Sequence, residues 1–140
     1  MYLGAQGTGR SGRVRARTAT MSHFDPWTVQ VRRGVLELGV LNALRGRERY
    51  GYELVKALAS TPSFGVAEGT LYPLLARLHA AGLVRTRLVE SSEGPARKYY
   101  ALTEDGRRAA TLMERYLAGL VESCRELRER TPGGAAGDDR

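Results

Sequence analysis

The chain has 140 residues, 42% of them hydrophobic, with a net charge of +7 and a pI near 10.1. That is enough for one modest core, and the charge favours polyanionic partners. No apolar run approaches the roughly 20 residues of a membrane span. The single cysteine, Cys124, leaves no intramolecular disulfide and no multi-cysteine zinc site, so a reducing, cytoplasmic setting is expected. The charge is uneven: +4 over residues 1–22, −1 over 23–31, +5 over 32–108 and −1 over 109–140.

Residues 1–22 contain Arg10, Arg13, Arg15 and Arg17, no acid and little to bury, so a disordered basic extension is expected. Because Met21 directly precedes a credible domain start, residues 1–20 are either an upstream extension or the product of a misassigned start. Asp25-Pro26 reads as N-cap and first helical residue of a helix running to about Leu44. Its apolar face is Val31, Val35, Leu38, Leu41 and Leu44, widened by Leu36 and Val40, and Gly46 ends it. A shorter helix is expected over 51–59, with Leu54, Val55 and Leu58 inward, before Pro62 and Gly65 break the chain.

The third helix, about 68–81, has two unlike faces. Leu71, Leu74, Leu75 and Leu78 recur at spacings of three and four and form core. The opposite face is Gly69, Pro73, Ala76 and Ala80, flanked by Tyr72, Thr70 and Arg77. So bare a surface solubilises poorly but lets a backbone press close to another object. Gly82 caps the helix.

Two strands follow, Val84–Val89 and Lys98–Leu102, joined by a loop from Glu90 to Ala96 and flanked by Arg85, Arg87, Arg97 and Lys98. Thr103 is the expected N-cap of a last helix over 104–129. On it, Met113, Leu117, Leu120, Cys124 and Leu127 repeat at the seam spacing of a coiled coil, with Ala109, Leu112, Tyr116 and Val121 widening the face. Such a face either folds back on the first helix or joins a second copy. The second is favoured, because the helix outreaches so small a core.

A small-faced helix followed by a cationic two-stranded loop is the arrangement of a winged helix-turn-helix on duplex DNA. The fold class expected is mainly α with a small β-hairpin, a winged helix-turn-helix plus a long C-terminal dimerisation helix. The expected divisions are an extension (1–22), a DNA-binding domain (23–103), the dimerisation helix (104–130) and a disordered tail (131–140). Thr70 and Tyr72 can donate hydrogen bonds to phosphate or base edges, and Tyr72 can pack on a thymine methyl. Arg77 can reach phosphate, while Arg97 and Lys98 suit phosphate or a narrow minor groove. Against these stand plainer readings, with Tyr72 as a half-buried core tyrosine and Arg77 as a solvated helix charge. Arg85 and Arg87 read as the exposed face of their strand.

Catalysis has no support: there is no Gly-rich phosphate loop, no Ser-His-acid or Cys-His set and no convergent acidic pair. His23 and His79 lie far apart without acidic partners, so neither metal nor cofactor is expected.

Several blocks in order give the chain a resemblance over Val31 to Leu127. They are Tyr50-Gly51-Tyr52-Glu53, Glu68-Gly69-Thr70-Leu71-Tyr72-Pro73-Leu74-Leu75, Arg77-Leu78, Gly82-Leu83-Val84, Gly94-Pro95-Ala96-Arg97-Lys98-Tyr99-Tyr100, Leu102-Thr103 and Gly106. On these the chain resembles the PadR family of bacterial transcriptional regulators. The resemblance implies a homodimeric winged-helix repressor with a single C-terminal helix, binding a palindromic operator and often released by a hydrophobic or aromatic effector. The candidate DNA contacts are Tyr50, Gly69, Thr70, Tyr72, Arg77, Arg97 and Lys98. The candidate dimer contacts are Met113, Tyr116, Leu117, Leu120, Val121, Cys124 and Leu127. Trp27, at the head of the first helix, either lines an effector site or covers the interface. The departures are Ala67 in place of a Ser cap, His79 in place of Glu, and Ala96 and Ala101 in the wing. The alternative is a winged-helix protein-interaction module that does not bind DNA.

Overall fold

The computed structural model describes residues 8–130, with side chains from residue 19 onward. The expected tail at 131–140 and the first seven residues of the expected extension lie outside the described residues. In order, the elements are α1 (Thr8–Ala43), β1 (Arg49–Tyr50), α2 (Gly51–Ala59), α3 (Glu68–Ala80), β2 (Val84–Ser91), β3 (Gly94–Leu102) and α4 (Glu104–Arg130). No helix among these residues is long and apolar enough to cross a membrane.

The start of α1 corrects the sequence reading. The helix begins at Thr8, so residues 8–22 are not the disordered extension expected, and Asp25-Pro26 lies inside the helix instead of opening it. Poverty of apolar side chains argued for disorder, but helical hydrogen bonds are local and need nothing buried. Arg and Ala, both good helix formers, dominate residues 13–19. Pro26 leaves the Ser22 carbonyl without its usual partner. Nearby hydroxyls bond back into the helix, Ser22 Oγ to the Ala19 carbonyl at 2.9 Å and Thr28 Oγ1 to the Asp25 carbonyl at 2.7 Å. By its packing the chain divides after Glu37, within α1, at neither of the expected boundaries. In the first unit Val31, expected on the buried face, is 39% exposed.

The second unit holds the core. Leu38, Val40 and Leu41 of α1, Leu44 in the turn after it, Leu54 and Leu58 of α2, and Leu71, Leu74, Leu75 and Leu78 of α3 are buried. Val84, Tyr100 and Leu102 of the sheet and Ala110 of α4 are buried with them. Each leucine so removed from water contributes roughly 1.5–3 kcal/mol.

The sheet has three antiparallel strands in the order β1-β3-β2, one more than the expected hairpin. β1 is two residues long, pairing Arg49 with Tyr100 and Tyr50 with Tyr99, too short to show any alternation in sequence. The hairpin is also longer than read. Val89 pairs with Arg97 and Ser91 with Gly94, so the expected loop from Glu90 to Ala96 reduces to Ser92-Glu93 with an irregularity after Val89. Pro95 is tolerated in β3 because β1 pairs only farther along, leaving that end a neighbour on one side.

Helix ends follow local chemistry. Past α3, Gly82 adopts φ +76°. The Gly82 N–H donates to the His79 carbonyl and the Leu83 N–H to the Leu78 carbonyl, both at 3.0 Å, closing a Schellman motif. Thr103 Oγ1 accepts the Gly106 N–H at 3.0 Å as N-cap of α4 and donates to the Gly82 carbonyl at 2.7 Å. Gly106 itself is packed so tightly that a Cβ there would lie 2.1 Å from the Leu83 carbonyl oxygen. Asn42 Nδ2 donates to Glu114 Oε1 at 2.9 Å, about two turns farther along α4. Beyond Leu117 every described residue of α4 is exposed.

Candidate nucleic-acid interface

The two faces of α3 are as the spacing predicts. Its four leucines are buried, and Gly69, Thr70, Pro73, Ala76, Arg77 and Ala80 are exposed. Ala67 occupies the N-cap with extended backbone and has no side-chain acceptor, so the first amides of α3 keep orphan donors that a phosphate oxygen can accept. Pro73 lacks an N–H, which frees the Gly69 carbonyl on the same bare face as an acceptor.

Tyr72 is seated on one side and open on the other. It is 43% exposed, yet its ring lies against Gly51, where a Cβ would come within 2.7 Å of Cε1. Gly51 thus makes the seat for this tyrosine, which also neighbours Tyr100. Burial, then Tyr72, pushes the Tyr100 hydroxyl above the usual tyrosine range.

Arg97 and Lys98, read together as wing cations, separate in the structure. Side chains alternate along a strand. Lys98 therefore shares the sheet face of buried Tyr100 and Leu102, the side of α3 and Tyr72. Arg97 lies on the outer face, its guanidinium 4.8 Å over the Tyr50 ring. Tyr50 in turn sits 5.7 Å from Tyr99 and 6.3 Å from Tyr52. Arg87 covers Tyr99 at 5.3 Å and Lys56 covers Tyr52 at 5.0 Å. The Arg87 guanidinium also pairs closely with Glu48, whose carboxyl is held below its ordinary range chiefly by that hydrogen bond.

Sequence reasoning missed this outer row of cations and rings. Its organiser is β1, which brings Tyr50 beside Tyr99; the sequence carries only the tyrosines themselves as a signal. Arg87, read as a plain surface charge, is tied to both Glu48 and Tyr99.

The expected dimer positions of α4 fall into two groups. Met113 and Leu117 are partly covered, whereas Tyr116 (74%), Leu120 (49%), Val121 (64%), Leu127 (66%) and Cys124 are exposed. Trp27 is 56% exposed, its ring 5.9 Å from that of Phe24.

Three helices, a three-stranded sheet with a long two-stranded wing, and a bare helix face on a leucine core define a winged helix-turn-helix protein. Residues 40–112 match the transcriptional regulator PadR-like family. A transcriptional regulator of Mycobacterium tuberculosis, Rv3488, is 34% identical over 106 residues, which are 74% of this chain and 95% of that protein. The crystal structure of a PadR family transcriptional regulator from Eggerthella lenta superposes with a TM-score of 0.73 at 32% identity, covering 81% of this chain and 99% of that one. Bacillus subtilis PadR, solved in complex with operator DNA, shares the fold at a TM-score of 0.52 and 24% identity, over 55% of this chain and 44% of that one. The chain belongs to the PadR-like family of transcriptional regulators.

Proposed function

We propose that this regulator is a homodimeric, sequence-specific repressor in the cytoplasm that binds a palindromic operator in duplex DNA and is released by a small hydrophobic or aromatic effector. The observation that carries the reading is α3: an exposed face of Gly, Pro and Ala, backed by four buried leucines, with free amides at its start and Lys98 on the same side of the sheet. Gly69, Thr70 and Tyr72 meet base edges and phosphates, and Arg77 and Lys98 neutralise phosphates. Tyr50 holds Arg97 for the adjoining backbone. The exposed rows on α4 (Tyr116, Leu120, Val121, Cys124, Leu127, continuing Met113 and Leu117) and on α1 (Met21, Phe24, Trp27) are covered by a second copy. Operator binding by Bacillus subtilis PadR supports the DNA partner by shared fold.

The test is titration of the promoter beside its own gene by fluorescence anisotropy. Affinity should fall about a thousandfold or more between roughly 50 and 200 mM salt. A flat salt response, or no duplex binding, would favour the protein-interaction module instead. Sedimentation should give twice the 15.4 kDa chain mass.

A further inference from the structure

A second cationic feature lies at the other end of the sheet from the wing tip. A cleft of about 210 Å³ opens where the turn after α1, the start of β2, the end of β3 and the first turns of α4 meet. Arg45, Arg47, Arg85 and Arg107 line it over an apolar floor that includes Leu44 and Leu102. Among the described residues, the lining holds one carboxylate, Glu48, and that group is taken by Arg87, which is not part of the lining.

Arg45 is held by Asn42, its Nε donating to Oδ1 at 2.8 Å, and the other three guanidinium groups are more loosely satisfied. Arg45 lies 3.9 Å from Glu114, Arg47 3.5 Å from Glu53 and Arg107 3.6 Å from Glu104, and none of those carboxylates lines the cleft. Arg85 reaches the Leu102 carbonyl at 3.5 Å and feels Glu48 at longer range, without a direct ion pair among the described residues. Like charges gathered from three separate elements repel one another unless an anion is shared between them. Guanidinium forks are suited to phosphate and carboxylate oxygens. The volume equals that of about seven liquid waters, enough for two phosphate-sized groups. Arg85 precedes the wing turn by seven residues, about 20 Å along an extended strand, so the cleft stands apart from the wing tip.

We propose that this cleft is a binding site for a small polyanion bearing phosphate or carboxylate groups, separate from the DNA interface. The same chemistry could come from duplex phosphates, and the experiment distinguishes the two sources. Inorganic pyrophosphate is titrated into the full-length protein by calorimetry at constant ionic strength, and promoter DNA binding is measured in parallel. Saturable binding is expected, lost at least tenfold in Arg85→Gln plus Arg107→Gln and kept within about twofold in Arg97→Ala plus Lys98→Ala. The first variant should bind DNA within about threefold of the parent. Each variant, and Arg85→Gln alone, is checked to melt within a few degrees of the parent. No saturable binding, or binding indifferent to Arg85 and Arg107, overturns the proposal. So does a tenfold loss of DNA affinity in the first variant, which would make the cleft part of the duplex contact.

Discussion

In the proposed complex Tyr50 acts through Arg97, whose guanidinium lies 4.8 Å over its ring. An exposed cation over a ring gains about 0.5–1 kcal/mol. Tyr50→Ala, by freeing Arg97, should therefore weaken operator binding roughly two- to fivefold, while Tyr50→Phe keeps the ring and the affinity; anisotropy titrations check both. The Glu48–Arg87 pair gives a pH signature. The folded carboxyl titrates below its ordinary value, so its contribution is present above that value and is lost as pH falls through the lowered one. A carboxyl NMR titration should show the depressed midpoint, and Arg87→Ala should return it to the ordinary range. Gly106 is unforgiving for a different reason. Its obstacle is the Leu83 backbone, which cannot swing away like a side chain. Gly106→Ala should cost about 1–3 kcal/mol or more in urea unfolding.

Among the elements, those with strong periodicity and clear ends were legible beforehand. The limits of α2, the leucine face of α3 and the Thr103 cap of α4 follow from side-chain spacing and local hydrogen bonding, which a sequence displays. Leu75→Ala should accordingly cost 2–5 kcal/mol, as for other fully buried leucines. What escaped was set by partners distant in sequence. β1 exists only because β3 offers it two residues of edge, and the wing reaches to Ser92-Glu93 because pairing continues past residues that look like loop. The split between Arg97 and Lys98 followed from that register and could not be read before it. The early start of α1 escaped because apolar content, the clue relied on, does not decide whether local helical hydrogen bonds form. For α4, Leu120→Glu should convert the proposed dimer to monomer in sedimentation, since it puts a charge in the middle of the exposed apolar row.

For the whole molecule, the joint between α3 and α4 has a mechanical meaning. The Thr103 hydroxyl grips the last carbonyl of the α3 cap, and Gly106 presses on the next residue's backbone, leaving no slack at the hinge point. α4 is then a stiff arm of about 40 Å, and a swing of some 10° at its root displaces the far tip by about 7 Å. In the proposed dimer, two copies fastened through such arms would hold their reading heads at one fixed stride. An operator whose half-sites are pushed apart by five base pairs puts the second head on the wrong side of the duplex, so it should bind little better than a single half-site, whereas a ten-pair insertion restores the phase but exceeds the stride.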